Sequence, residues 1–223
     1  MKRLQKILIA TFIVLMLVFK LLNYSKEKQE LANLRQSAEE GNAEAQYSLG
    51  LMYSSGDGIP KDKAEAAKWY RQAAEQGEAD AQKLLGVMYA KGEGVLQDYK
   101  EAIKWFRLAA DQGEIKGQTL LGYMYRQGNG VTQNFKEALR WFTRAAEQGE
   151  STAQFELGVL YELGLAVLQD NQYAHMWYNI AASNGLEGAH KSRAKLAERM
   201  TPSQIAEAQK LARECVAKEY KGC

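Results

Sequence analysis

The sequence predicts an all-α protein, a right-handed α-solenoid of stacked antiparallel helix pairs that follows an N-terminal hydrophobic helix. Three observations lead to this fold class. Two prolines in 223 residues, against about 5% in average proteins, favour helices over irregular loops. Within each half-unit the apolar residues recur at steps of three and four, the spacing of one helical face. The four tryptophans share one 36-residue spacing, which indicates an internal repeat: Trp69, Trp105, Trp141 and Trp177.

Other fixed positions share this register. A leucine followed by a glycine recurs in every unit, with a tyrosine three residues after the glycine; in the first unit these are Leu49, Gly50 and Tyr53. Paired alanines and a closing glycine end each unit. We therefore divide the chain into a hydrophobic segment at 1–28, a partial leading helix at 29–41, four repeats at 42–77, 78–113, 114–149 and 150–185, and a degenerate capping helix pair at 186–223.

Each unit reads as two helices joined by a glycine-containing loop. Asp62 begins the second helix as an N-cap, and Glu65 stands three residues later, which predicts a reciprocal capping box. Gly77 stops the same helix. Small residues such as Gly50 should let the two helices of a pair approach closely. A single pair cannot bury both of its faces, so we expect the pairs to stack.

The repeated pattern A-x-A-Q-x-x-L-G-x-M-Y-x-x-G-x-G-V through E-A-x-x-W-[YF]-x-x-A-A-x-x-G resembles the Sel-one-like repeat (SLR) family, a relative of tetratricopeptide repeats. The resemblance covers residues 42–185, and the segment M-T-P-S-Q-I-A-E-A-Q at 200–209 is similar to the closing segment of many bacterial members. It implies an α-solenoid that binds other proteins. The fourth copy departs from the pattern at Ala166 and Tyr173, which replace a loop glycine and the capping glutamate. The resemblance therefore does not predict the conformation of that loop.

The first 28 residues predict a membrane segment. Residues 7–19 carry no charge and follow a basic start of Lys2, Arg3 and Lys6. Because no small-residue cleavage site follows, we expect an uncleaved signal anchor; a cleaved signal peptide and a buried core helix are the alternatives. The basic cluster favours a cytoplasmic N-terminus. The repeat domain would then lie on the periplasmic side of a bacterial inner membrane, or be periplasmic or secreted if the segment is cleaved.

The charge balance argues against a nucleic-acid partner. The chain has 29 Lys and Arg and 27 Asp and Glu, but six of the basic residues and only one acid fall within the first 28 residues. Residues 29–223 therefore carry a small excess of acidic groups and no basic stripe, whereas nucleic-acid binding requires clustered positive charge. We expect the partners to be other proteins or peptides, and the membrane through the N-terminal segment.

No residue pattern predicts an enzyme, a cofactor site or a metal site. The two histidines, His175 and His190, have no cysteine or carboxylate at ligand spacing. The motif S-x-x-K occurs at 25–28 and 192–195, but its partner motifs S-D-N and K-T-G are missing. The G-x-G pairs of the loops lack both the third glycine and the Lys-Ser/Thr of phosphate-binding loops.

Cys215 and Cys223 leave two possibilities open. If the last helix ran through both residues, its rise would separate them by about 12 Å, beyond the roughly 7 Å limit for a disulfide. Gly222 would allow the chain to fold back instead. In an oxidising compartment the two cysteines can then form a disulfide, and otherwise they remain free thiols.

Positions that vary between repeats predict the binding surface. On the first helix of each unit, three such positions lie away from the fixed apolar face and hold apolar anchors mixed with charges of both signs, as a peptide groove requires. The alternative is that they are ordinary solvent-side residues whose aromatic rings pack sideways on neighbouring repeats. This candidate groove consists of Tyr47, Leu51, Ser54, Lys83, Val87, Ala90, Thr119, Tyr123, Arg126, Phe155, Val159 and Glu162.

The function that these observations favour is a non-catalytic interaction scaffold, displayed from a membrane into the extracytoplasmic space and binding peptide or protein partners. One alternative is a cell-envelope hydrolase of the β-lactam- or peptidoglycan-acting kind, which the lack of a nucleophile–base pair disfavours. Another is a subunit of a secretion or degradation complex.

Overall fold

A computed structural model describes the backbone of residues 2–223 and the side chains of residues 16, 19, 20 and 22–223. This part of the chain forms eleven α-helices and no strand, which confirms the predicted all-helical solenoid. The helices are α1 (Lys2–Glu39), α2 (Ala43–Ser55), α3 (Lys63–Glu75), α4 (Ala79–Lys91), α5 (Tyr99–Asp111), α6 (Ile115–Gln127), α7 (Phe135–Ala146), α8 (Ser151–Leu163), α9 (Asn171–Ser183), α10 (Glu187–Ala197) and α11 (Pro202–Ala217).

The predicted membrane segment at 1–28 remains a prediction. It rests mainly on residues 1–15, 17 and 18, which lie outside the described side chains. Over the residues whose side chains are described, no helix has an apolar stretch long enough to cross a membrane. The C-terminal part of α1 belongs to the solenoid, since Leu31, Leu34 and Ala38 pack with α2.

Contacts between a glycine and an aromatic ring set the distance between the two helices of each repeat. A Cβ atom built on Gly122 of α6 would lie 2.6 Å from Cε1 of Phe142 on α7, and the Phe142 ring is completely buried. The prediction that small residues allow a close approach is therefore correct. The same contact recurs in the other three pairs, between Gly50 and Tyr70, Gly86 and Phe106, and Gly158 and Tyr178.

The second helix of each repeat begins with a one-way cap. Asp62 accepts hydrogen bonds from the backbone N–H groups of Ala64 and Glu65, as predicted, but the reciprocal half of the capping box is wrong. The N–H of Asp62 already donates to the carbonyl oxygen of Tyr53 over 2.9 Å, so no donor remains for Glu65, whose carboxylate pairs with Lys68 at 2.6 Å. A reciprocal box does form at α11, between Thr201 and Gln204.

Buried glutamines join each first helix to the helix before it. The amide of Gln46 donates to the carbonyl oxygen of Ala38 over 3.0 Å, and the amide of Gln76 donates to Gln46 Oε1 over 2.7 Å. The carbonyl oxygen of Ala38 also accepts the backbone N–H of Gly41 over 3.1 Å, so the glutamine adds a second hydrogen bond there and its own buried amide is satisfied. The same network recurs at Gln82 with Gln112, Gln118 with Gln148, and Gln154 with Asn184.

Residues 186–223 depart from the geometry of the four repeats. Helices α10 and α11 each pack on α9 and barely touch one another, unlike the tightly paired helices of an ordinary repeat. Ala212 and Cys215 of α11 join the core cluster that contains Met176 and Ile180 of α9. In the earlier repeats these two positions hold exposed residues, all but one of them charged or polar: Lys68, Lys104 and Arg140 for the first, and Gln72, Leu108 and Arg144 for the second.

The fourth loop keeps the conformation of the other three despite its missing glycine. Ala166 has φ +68°, close to the +72° of Gly130 at the same position of the preceding loop. A non-glycine residue in this left-handed region costs about 1–2 kcal/mol, because its Cβ crowds the following carbonyl oxygen.

Replacing Gly122 by alanine should destabilise the fold. The added Cβ must displace the buried Phe142 ring, and overpacking of this kind costs about 1–3 kcal/mol, which exceeds the gain in helix propensity. Gly188 is the matched control, since a Cβ there meets nothing within 4 Å and alanine should stabilise α10 slightly. Thermal unfolding followed by circular dichroism measures both; equal melting temperatures for the two variants would contradict the close approach.

The Ala166→Gly variant should be more stable than the natural protein by about 1 kcal/mol. Glycine relieves the left-handed strain, although its greater freedom in the unfolded chain offsets part of the gain. At the preceding loop, Gly130→Ala should do the opposite, because φ is +72° and the new Cβ would lie 2.6 Å from Cβ of Tyr99. Chemical denaturation of both variants tests this; a destabilising Ala166→Gly would mean that loop 164–170 has another conformation.

Candidate functional site

The candidate groove lies on the side formed by the first helices of the four repeats, α2, α4, α6 and α8. One register position on this face is apolar in every repeat, and we call it the apolar row. Leu51 is 40% exposed, while the other three residues are partly buried. The apolar row consists of Leu51, Val87, Tyr123 and Val159.

Aromatic rings of the candidate groove pack against the second helix of their own repeat. Tyr123 meets Phe142 edge-on at 5.4 Å between ring centroids. The other two pairs are tilted: Tyr47 with Tyr70 at 6.1 Å, and Phe155 with Tyr178 at 5.1 Å. Each of these rings therefore packs on the same second-helix aromatic residue that contacts the glycine and sets the distance between the two helices. These aromatic rings do pack sideways, as in the alternative interpretation of the groove, but the three ring pairs each lie within one repeat.

Several polar residues of the candidate groove connect neighbouring repeats. Lys83 of α4 pairs with Asp80 on its own helix and, over 3.3 Å, with Glu114 at the start of α6. At the next repeat, Thr119 Oγ1 donates to Glu150 over 3.4 Å. These contacts occupy side chains that were predicted to be free for a partner. The face therefore presents apolar side chains to a partner, surrounded by a polar border.

Glu162 closes this series at the end of the solenoid. The hydroxyl of Tyr178 donates to its carboxylate over 2.7 Å, and Arg199, which lies beyond α10, pairs with the other oxygen. Burial, followed by this hydrogen bond to Glu162, raises the pKa of Tyr178.

A buried carboxylate beneath the candidate groove is the feature that sequence reasoning missed. The side chain of Glu156 on α8 is 6% exposed; its oxygens accept from Tyr123 at 2.9 Å and pair with Arg126 at 2.5 Å. Burial raises the pKa of Glu156, with Arg126 acting in the opposite direction. Burial and then Glu156 raise the pKa of Tyr123. The available signal was a charge at a position that holds leucine in the two preceding repeats, Leu84 and Leu120.

The described side chains bring together no constellation for metal binding. Over this part of the chain no three His, Cys, Asp or Glu residues are close enough to hold a metal ion. His175 is buried in α9 with its Nδ1 unpaired, and burial followed by Arg193 lowers its pKa. His190 is exposed on α10.

The two cysteines lie together because the chain reverses after α11. Their Cα atoms are 5.5 Å apart and their sulfurs form a disulfide. The reversal places Glu219, Tyr220 and Gly222 in left-handed backbone conformations. Cys215 is buried and Cys223 is partly buried.

Comparison with protein families gives four consecutive matches to the Sel1 repeat, at residues 43–78, 79–114, 115–150 and 151–186. The chain belongs to the Sel1 repeat family. This confirms the resemblance seen in the sequence, and each matched Sel1 repeat starts one residue after a unit boundary drawn from the tryptophan register. Sel1 repeats generally mediate protein–protein interactions, and the family is generally non-catalytic.

Solved structures with the same repeats resemble the chain closely. The protective antigen c5321 of uropathogenic Escherichia coli, which displays an SLR fold, is 37% identical with a TM-score of 0.73, over 85% of this chain and 44% of that protein. A Sel1 repeat protein from Oxalobacter formigenes is 37% identical with a TM-score of 0.71, over 77% of this chain and 72% of that one.

An immunity protein from Pseudomonas aeruginosa shares the fold alone, at 23% identity and a TM-score of 0.50 over 85% of this chain and 72% of that one. The chain spans less than half of the length of the E. coli antigen. A comparison with curated proteins found no match.

Removing Arg126 should leave the buried carboxylate of Glu156 without its ion pair. We expect Arg126→Ala to cost about 3 kcal/mol of unfolding free energy, because a buried charge without a partner is strongly destabilising. Adding Glu156→Leu introduces the residue found at this position in the two preceding repeats, and alanine already stands at the Arg126 position as Ala90, so the double variant should recover most of the loss. Urea denaturation tests this; additive losses would mean that the two residues do not interact.

Proposed function

We propose that this protein is a non-catalytic scaffold that holds a peptide or protein partner against the face formed by α2, α4, α6 and α8. The apolar row carries this proposal, because it repeats one kind of surface four times at a spacing of one helix pair. Apolar anchors supply most of the binding free energy of protein interfaces, and a polar border orients the partner. Membership of a family that mediates protein interactions supports the same function.

The packing of the face narrows where a partner makes contact. Because Tyr47, Tyr123 and Phe155 lean on the second helices, a partner meets their edges while the interiors of the rings remain part of the fold. Leu51 is the most exposed apolar side chain of the row, and Val87 follows it one repeat later. We therefore assign the main anchor contacts to the first two repeats.

Display from a membrane forms the second part of the proposal. The uncharged run at 7–19 and its basic start support an anchor, and α1 extends without interruption from Lys2 to Glu39. Along this helix Phe19 and Leu22 are more than 60% exposed, a surface suited to lipid. The repeats would lie on the periplasmic side of a bacterial inner membrane, where a subunit role in a secretion or degradation complex is one form of the scaffold function. No residue pair favours the hydrolase alternative, and we do not propose it.

The scaffold function is tested by co-purification from detergent-solubilised membranes. The double variant Leu51→Ser/Val87→Ser should reduce the amount of bound partner at least thirtyfold, since the loss of an anchor costs about 2 kcal/mol or more, while circular dichroism should show the solenoid still folded at the assay temperature. Leu108→Ser is the matched control, because Leu108 is 44% exposed on the second helix α5, outside the face. Undiminished binding by the double variant, or an equal loss in the control, would show that partners bind elsewhere.

A further inference from the structure

An arginine joins each of the first two repeats to the repeat that follows. Arg71 of α3 reaches Tyr89 of α4: its guanidinium donates to the tyrosine hydroxyl and lies 5.6 Å from the ring centroid. Arg107 of α5 makes the same two contacts with Tyr125 of α6, at 5.9 Å from the ring centroid. The long arginine side chain thereby bridges the second helix of one repeat and the first helix of the next.

The third repeat has no such arginine. The equivalent residue of α7 is Thr143, and the tyrosine that would receive it is Tyr161 of α8. Thr143 is too short to make the arginine contact, which leaves space between α7 and α9 above Tyr161. This space is bordered by residues 218–223, which follow α11 and which we call the return segment.

Contacts of the return segment show how it fits this space. Tyr220, Gly222 and Cys223 line a cavity of about 110 Å³ together with Thr143, Glu147, Tyr161 and Trp177. The Tyr220 ring lies against Gly149, its hydroxyl donates to Asn184 Oδ1 over 3.3 Å, and the N–H of Gly222 donates to Glu147 Oε1 over 3.4 Å. All of these polar contacts are long and lie at the surface.

The return segment combines a strained backbone with a covalent link to α11. Glu219 and Tyr220 have φ +53° and +66°, which costs each of these non-glycine residues about 1–2 kcal/mol. The backbone hydrogen bond from Tyr220 N–H to the carbonyl oxygen of Cys215, over 2.9 Å, and the packing of Tyr220 and Cys223 against the core offset part of this strain. The disulfide joins Cys223 to Cys215, which is buried in α11 and 3% exposed.

Helix α11 itself does not depend on the disulfide. Its buried residues Ala208, Ala212 and Cys215 share one face, and this face packs on Met176 and Ile180 of α9. Its N-terminus is closed by the reciprocal cap of Thr201 and Gln204. Loss of the disulfide should therefore affect the return segment and leave the helix in place.

We propose that the Cys215–Cys223 disulfide is a redox-sensitive clasp, which holds the return segment over the groove between α7 and α9 and releases it on reduction. A thiolate of a dithiol reductant attacks Sγ of Cys223, the less buried sulfur, and Cys215 leaves as a thiolate that takes up a proton. The second thiol of the reductant then closes its own disulfide and releases Cys223 as a thiol. Two electrons and two protons pass to the protein, and Tyr161 and Trp177 become uncovered. This device is independent of the proposed scaffold function.

The test is hydrogen exchange of the detergent-solubilised full chain, oxidised or reduced with dithiothreitol, with thiol content checked by alkylation. In the oxidised protein the N–H of Tyr220 donates to the carbonyl oxygen of Cys215 over 2.9 Å and should be protected. On reduction, residues 218–223 should lose protection at least tenfold while residues 205–215 keep theirs. Unchanged protection of the return segment overturns the proposal, and so does simultaneous loss across α11, which would make the disulfide a structural staple for the helix.

Two variants, with a matched control, distinguish release of the return segment from a general loss of stability. Thr143→Arg restores the arginine of the earlier repeats, and its side chain should compete with the return segment for the space above Tyr161, so protection should fall even with the disulfide intact. Thr143→Ser is the matched control and should leave protection unchanged. Cys223→Ser alters only the clasp and should reproduce the reduced state. If both Thr143→Arg and Cys223→Ser retain the protection of the oxidised protein, the return segment is not held as proposed.

Discussion

The close contact between a glycine and an aromatic ring is the constraint on which the rest of this structure depends. With no Cβ at Gly122, the Phe142 ring lies directly on the backbone of α6, and the same arrangement spaces the other three pairs. The short distance between paired helices leaves room for alanines and not for larger residues along the seam, which explains the paired alanines of every unit. It also positions the aromatic residue of the second helix within reach of the candidate groove. The same contact therefore determines both the packing of the helix pair and the shape of the groove.

A second set of contacts converts helix pairs into a solenoid. The buried glutamine of each first helix donates to a carbonyl oxygen near the end of the preceding helix, so its amide depends on the neighbouring repeat for a hydrogen-bond partner. The tryptophans of the last three repeats are buried, whereas Trp69 in the first repeat is only partly buried. Such nearest-neighbour coupling is the physical reason that stacked repeats fold when a single repeat does not.

The candidate site shows what the variation of a repeat position does not predict, namely whether the side chain there is available to a partner. Variation among positions such as 47, 83 and 123 indicates that a residue is not required by the repeat, but it does not indicate whether the side chain is free. Lys83, Thr119 and Arg126 all reach across to the following repeat. Glu156 has an ion-pair partner on α6, 30 residues earlier, and the pairing depends on the stacking distance between repeats, which no local pattern contains.

The sequence by itself determined the number of helix pairs, their boundaries and their internal packing, because each of these follows from local spacing that recurs every 36 residues. Only the tertiary structure decided the geometry of residues 186–223. There the repeat pattern ends, and Met176 and Ile180 accept α11 where other repeats face solvent. Thr143 leaves a space that the return segment borders, and Gly222 of this segment donates to Glu147 of α7, 75 residues earlier in the sequence. Contacts between residues so far apart in the sequence depend on the space that a missing side chain leaves. A repeat pattern describes the residues that recur and does not predict that space.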